Sequence, residues 1–326
     1  MAVATVLSDV IVPEVFTPYV IERTAELSAF WSSGVVGSVD GLTLGNGGST
    51  VQMPFWQDLA GDDQTLDDTT NLTVSNIEAE KDVAVLNGRA LVYGAKDLVG
   101  ALAGDDPMMA IGDLVADKWA RRMQSCLIST LNGSMGALGD ESPPVNTLDI
   151  SGLSAAAAVF DGEAFIDALG RLGDAETRLS AVAVHSATYR LMKKQGLIEF
   201  IREFDAAEAV PFYMGKRVIV DDGMPVSNGV YTTYLFGEAA VGYAEGAPKV
   251  PVETERNALV GGGEEYLVSR RHFLLHPRGI AWTPGSGVPA KNTPTNVELG
   301  AKANWSRVYE SKNIRIVRFV HRVAAA

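Results

Sequence analysis

Apolar positions along this chain change period twice, and each change marks a different kind of element. Ile111, Leu114, Val115, Trp119, Met123, Cys126, Leu127 and Leu131 recur at steps of three and four. That spacing lays an apolar stripe along one α-helix, over roughly 107–132. Asp105 or Asp106 can cap its start, Pro107 suits the first turn, and Gly133 is expected to end it. The other side carries Asp113, Asp117, Lys118, Arg121 and Gln124, a face for solvent or for another chain. At about 1.5 Å per residue the helix spans roughly 40 Å, long enough to act as a girder.

Ahead of the helix the pattern is extended. The turn signal Gly45-Asn-Gly-Gly48 precedes a strand at Thr50-Val-Gln-Met-Pro-Phe-Trp56. Strand-like sequence resumes over Leu72–Ile77 and again over Lys81–Tyr93, so 34–94 reads as one long hairpin region. Between its arms Asp58, Asp62, Asp63, Asp67 and Asp68 crowd together around Gly61. Such a segment cannot bury itself and is expected as a solvated tip. Its aspartates miss the calcium-loop pattern of alternate ligands closed by Glu, so no metal is expected there. The segment from Ala2 to Trp31 reads as an arm, broken by Pro13 and Pro18, with a short helix over Tyr19–Phe30.

Beyond the helix, the Gly/Pro/Ser-rich stretch 136–152 is the best internal boundary. A helix over Gly162–Leu179 follows, with Phe165, Leu169, Leu172 and Ala175 on one side, softened by Gly170 and Gly173. Ser180–His185 reads as a buried strand, after which Ser186 can cap a helix through Lys194. Lys216–Asp221 is a strand closed by a turn at Asp222-Gly223. Val230–Phe236 and Ala239–Ala244 are expected to pair around Gly237-Glu238. Val250–Arg256 and Glu265–His276 are longer strands separated by Gly261-Gly-Gly263, and Ile314–Val323 is a last strand. The fold class is α+β.

Composition narrows the function more than it narrows the fold. The chain has 326 residues, 47% hydrophobic and 21% charged, enough for a sizeable core. A net charge of -13 argues against sequence-reading of nucleic acid, which needs a basic footprint. Cys126 is the single cysteine, so no intramolecular disulfide or cysteine metal cage can form. His272 and His276 are four apart in a strand-like run, which separates them by ~13 Å. No Gly-x-Ser-x-Gly elbow or dinucleotide fingerprint is present, and Gly261-Gly-Gly263 runs into Glu264-Glu265, the wrong charge for phosphate. Asp221 and Asp222 close a strand but face opposite ways. No catalytic, cofactor or metal set emerges.

The order of segments closely resembles one family, the major capsid proteins of tailed bacteriophages, with the Hong Kong 97-like (Johnson) fold. Val12-Pro-Glu-Val-Phe-Thr-Pro-Tyr looks like the family's N-arm, and 51–84 like its extended hairpin loop. Asp113-Leu-Val-Ala-Asp-Lys-Trp-Ala-Arg-Arg-Met-Gln, leading to Gly133, resembles the spine helix of the peripheral domain. Val184-His-Ser-Ala-Thr-Tyr-Arg-Leu-Met and Gly215-Lys-Arg-Val-Ile-Val-Asp-Asp-Gly-Met-Pro look like the axial domain. The resemblance implies an N-arm at 1–33, a hairpin loop at 34–94 and a peripheral domain at 95–150. An axial domain would follow at 151–255, with return strands at 256–326.

It further implies a non-enzymatic coat protein without cofactors, assembled in the host bacterial cytoplasm into an icosahedral virion shell around double-stranded DNA. Its partners would be itself, as hexamers and pentamers, and a portal protein, with a decoration protein as an option. Some relatives carry a charged scaffolding segment ahead of the arm; this chain shows none, which implies a separate scaffolding protein. An encapsulin-like compartment shares the expected fold. A soluble α/β enzyme and an accessory virion protein are rivals from other classes. Candidate contact residues are the acidic set Asp58, Asp62, Asp63, Asp67 and Asp68, and on the helix Trp119, Arg121 and Arg122. The basic set facing the acidic tip would be Lys302, Arg307, Lys312, Arg315, Arg318 and Arg322. A core aromatic beside solvated charges is the competing reading of the helix trio, and two unrelated solvated runs that of the charges.

Overall fold

The computed structural model describes residues 30, 33–38, 48–59, 63–65, 71, 73–97, 107–154, 156–201, 210–259, 263–285 and 293–324. The expected arm at 1–29, the helix cap at Asp105 or Asp106, and the residues Asp62, Asp67 and Asp68 lie outside the described residues. The first strands are β1 (Val36–Gly37), β2 (Thr50–Trp56) and β3 (Ala79–Lys96), followed by helix α1 (Pro107–Gly139) and β4 (Thr147–Asp149). Next come α2 (Gly162–Leu169), β5 (Leu179–Val184), α3 (Ser186–Gln195), β6 (Ile198–Ile201), β7 (Val210–Tyr213) and β8 (Lys216–Val220). Then follow β9 (Val226–Ser227), β10 (Val230–Gly237), β11 (Val241–Gly246), β12 (Val252–Asn257) and β13 (Glu264–Pro277). The chain closes with β14 (Ile280–Trp282), α4 (Asn296–Leu299), β15 (Trp305–Arg307) and β16 (Ile316–Arg322).

Two sheets hold most of these strands. One runs β1-β11-β13-β3-β2, with β12 also on β13; the other runs β4-β16-β10-β5-β8-β7-β6, with β9 on β10. Strand β3 belongs to two pairings in succession. Its first part, Ala79 to Val85, pairs with β2, while Leu86 to Lys96 pairs with β13. A strand this long reaches roughly 60 Å, so it carries the hairpin outward as an extension of the sheet. β2 alternates between half-buried and exposed residues and buries none fully.

Strict alternation in the second sheet feeds two cores. Ala181, Ala183, Tyr234, Phe236 and Ile316 face the carboxy-terminal half of α1, against Met123, Leu127, Leu131, Met135 and Leu138. Their neighbours Val182, Val184, Leu235, Val317 and Phe319 face the other way, onto Phe165, Leu172 and Met192 of the α2–α3 side. The amino-terminal half of α1 rests on the first sheet, where Val115, Ala116 and Trp119 meet Val252 and Leu267. One helix therefore ties both sheets together. Phe30 also reaches the core, fully buried and edge-on to Phe236 at 6.1 Å.

Several expectations are corrected. α1 does not end at Gly133 but continues to Gly139. Gly133 is a notch: a Cβ there would lie 2.0 Å from the Leu299 carbonyl oxygen and 2.7 Å from Trp305 Nε1. Because the helix occupies 136–139 and β4 joins the second sheet, the 136–152 stretch is only partly a linker. Leu114, on the expected apolar stripe, is exposed. Residues 73–78 form no strand.

The helix expected from Gly162 stops at Leu169 and continues as a 3-10 segment, Gly170–Arg178, whose Gly173 takes φ 58°. β10 and β11 do not pair with each other: β10 lies between β16 and β5, while β11 lies against β13. Ala239 (φ 47°) turns the chain from one sheet to the other. Finally, the residue that caps α3 is His185, whose Nδ1 accepts from Ala187 N at 3.1 Å.

Candidate subunit-contact surfaces

Five of the six candidate cations at the carboxy-terminal end have partners within their own chain. Lys302 pairs with Asp140, and Lys312 Nζ lies 2.8 Å from Asp174 Oδ1. The Lys312 contact holds the Asp174 carboxyl below its usual range and the Lys312 ammonium above its own. Arg307 Nε donates to both oxygens of Glu141, at 3.0 and 3.1 Å. Arg315 Nη1 donates to the Glu238 carbonyl at 3.3 Å, and Arg322 Nε to the Ser151 carbonyl at 3.1 Å. Arg318 is half-buried, with its Nε enclosed. The basic run is therefore not an unpaired strip awaiting an acidic partner. Exposed pairs of this kind contribute little individually and yield readily to a better-placed charge.

On the acidic side, Asp58 and Asp63 are exposed, and Asp58 Oδ1 accepts from the Leu59 amide at 2.8 Å. Trp56, Leu59, Val74 and Ile77 around them are also exposed. This is an apolar-and-acidic surface carried outside the body of the chain.

The helix trio separates. Trp119 is 1% exposed, and its Nε1 donates to Ser269 Oγ at 2.9 Å. The Arg271 guanidinium lies 5.6 Å from the Trp119 ring centroid. Trp119 is therefore a core residue joining helix to sheet rather than a surface anchor, because its side chain points down the buried stripe. Arg121 and Arg122 are exposed, and Arg121 Nε reaches back to the Asp117 carbonyl at 3.2 Å.

Two concavities adjoin these surfaces. The larger, about 770 Å³, sits at the root of the hairpin among Phe55, Trp56, Asp58, Arg178, Arg278 and Arg315. The edge-on ring pair Phe55–Tyr309, at 4.6 Å, closes one side. The smaller, about 280 Å³, lies where α1 crosses β3, between Arg89, Lys118 and Arg122. Arg89 is absent from the sequence candidates; its signal is a cation within the run Val83 to Tyr93, which holds no other charge. Asp82, earlier in the same strand, is buried against His276. Among the described residues no group of three metal-ligating side chains converges.

A chain built this way, with a hairpin projecting from the edge of one sheet and a helix bridging two sheets, is a shell-building subunit of the kind found in tailed-phage heads. Among solved structures it is similar to the capsid of cyanophage Pam1, with a TM-score of 0.57 at 11% identity over 91% of this chain and 92% of that one. A chain from Mycobacterium phage Bobi gives a TM-score of 0.53 at 10% identity, over 90% of each. These likenesses show the Hong Kong 97-like fold. In sequence, the chain is 48% identical over 330 residues to the major capsid protein of Bacillus phage SPP1, covering 98% of this chain and 99% of that protein.

The chain belongs to the Gp13-like family, described as major capsid protein 13-like, which matches residues 42–314. It is a structural protein of the virion and a major capsid protein of a tailed bacteriophage, not an enzyme.

Proposed function

We propose that this chain forms hexamers and pentamers that close into an icosahedral head around double-stranded DNA. Assembly takes place in the host cytoplasm around a separate scaffolding protein, with a portal at one vertex and room for a decoration protein outside. The near-full-length identity to the SPP1 major capsid protein carries this reading. DNA is enclosed without sequence-specific contact, because a net charge of -13 repels a packaged polyanion from the wall. Within the subunit, 1–33 serves as the N-arm and 34–94 as the hairpin loop. Residues 95–150 with 256–326 are assigned to the peripheral domain and 151–255 to the axial domain, with β16 of the last segment lying in the axial domain's sheet and β11 and β12 in the peripheral one. Each contact between subunits is weak, so misplaced copies leave, and many together hold the shell.

Negative-stain electron microscopy tests the reading directly, on the chain expressed with and without a scaffolding partner. Closed shells or capsomer-sized rings are expected. Discrete monomers or dimers under every condition would overturn it, and shells loaded with protein cargo instead of DNA would favour the encapsulin-like alternative.

A further inference from the structure

On α1, Arg121 has an acid one turn before it, Asp117, whereas Lys118 and Arg122 have none three or four residues away in either direction. Lys118 and Arg122 are themselves four apart, a like-charge pair that weakens the free helix. Arg89 on β3 adds a third cation to the same side, at the pocket of about 280 Å³ that the three share. Its Nη2 donates to Asn296 Oδ1 at 3.0 Å, which ties the guanidinium to α4. Trp119 and Phe273, each 1% exposed, form a rigid floor. Among the described residues no carboxylate lines this pocket. The larger cleft differs here, because Asp58 and Glu310 already stand among its arginines.

The chain itself contains a complementary segment. From Gln57 to Glu80 it carries Asp58, Asp62, Asp63, Asp67, Asp68, Glu78 and Glu80, and no lysine or arginine. We propose that Arg89, Lys118 and Arg122 form a carboxylate-binding pocket that receives an aspartate of this segment from a second copy of the chain. The proposal rests on the shell reading above and gives it a specific contact. The pocket supplies two guanidinium forks for bidentate pairing and one ammonium as a point charge. Docking there removes the like-charge cost on α1 and fixes the register of the neighbouring hairpin.

Shells assembled from a mixture of ¹⁴N- and ¹⁵N-labelled chains, treated with a zero-length carbodiimide, test it. The reagent joins an amine only to a carboxylate in contact with it, and the intrachain Lys312–Asp174 pair at 2.8 Å is a built-in control. A Lys118 peptide joined to a 57–80 peptide in heavy–light pairs is the expected product. Products confined to one chain, products with acids outside 57–80, or no Lys118 product beside a positive control would each overturn the pocket while leaving the shell reading intact. Failure to form any shell would remove both readings.

As a second arm, Lys118→Glu with Arg122→Glu should lower closed-shell yield by about tenfold or more through like-charge contact. Adding Asp62→Lys and Asp63→Lys should restore it. Both cations are exposed on the helix, so the variant subunit should fold. A yield unchanged by the first pair, or not restored by the second, would overturn the proposal.

Discussion

Asp82 Oδ2 lies 2.9 Å from His276 Nε2, with both side chains 2% exposed. The imidazole N–H is not aligned for a directed hydrogen bond, so the two groups meet by close packing. The same carboxylate oxygen accepts from the Gly279 amide at 3.0 Å. Asp82 stands on the part of β3 that pairs with β2, whereas His276 and Gly279 belong to the end of β13 and the turn after it. The contact pins the root of the hairpin to the body. Asp82→Ala would leave a buried amide and imidazole facing an empty site, and should cost about 3 kcal/mol. A chemical-denaturation midpoint unchanged from the parent would refute this.

Two glycines of α1 should respond in opposite ways to alanine. At Gly133 the added methyl would meet the Leu299 carbonyl at 2.0 Å, whereas at Gly136 its nearest neighbour is Lys302 Cβ at an ordinary 3.5 Å. Gly133→Ala is expected to destabilise by about 3 kcal/mol through overpacking. Gly136→Ala should be neutral or stabilising by up to ~1 kcal/mol from helix propensity. Thermal melts of the two variants decide the matter; equal shifts would mean that position 133 is not a notch.

His321 gives the subunit a pH dependence. Burial pushes its pKa from 6.5 down to about 4, and its Nε2 meets Thr233 Oγ1 at 2.9 Å. The unfolded chain therefore binds a proton in the interval where the folded chain does not. Stability is complete above about pH 6.5 and falls as pH drops toward 4, by as much as ~3 kcal/mol. Replacing His321 with Gln should flatten that slope in denaturation measured at several pH values. A slope retained in the variant would assign it to other groups.

The hairpin should be more open to exchange in the free subunit than in a shell. β2 buries no residue fully, and Trp56, Leu59, Val74 and Ile77 are exposed. Amides of 50–78 should exchange quickly before assembly and slowly afterwards. Equal protection in both states would show that this surface stays uncovered.

What the sequence revealed and what it concealed divide along the range of the interactions. The β2 strand and the buried stripe of α1 follow from local period, so Thr50–Trp56 and the positions from Val115 to Leu131 stand as read. The end of α1 is not legible in the sequence because a glycine that stops a helix and one that admits a carbonyl look alike. Only Leu299, far along the chain, tells them apart. β10 and β11 read as a hairpin because they adjoin, but each finds better partners in a different sheet. The basic run seemed free because its acids, Asp140, Glu141 and Asp174, are distant in sequence. Lys118 and Arg122 were visible, but their convergence with Arg89 depends on how α1 crosses β3.

The unbroken course of β3 has a mechanical consequence. Its changeover from β2 to β13 falls between Val85 and Leu86 without a break in the strand. A hairpin mounted this way cannot swivel as a loop on a hinge. Any change in its angle must flex the strand at that changeover or drag β13 along, and β13 lies against the spine helix through Leu267 and Trp119. The hairpin then acts as a lever arm whose fulcrum is the sheet, so a small tilt of the body sweeps the acidic end through a much larger arc.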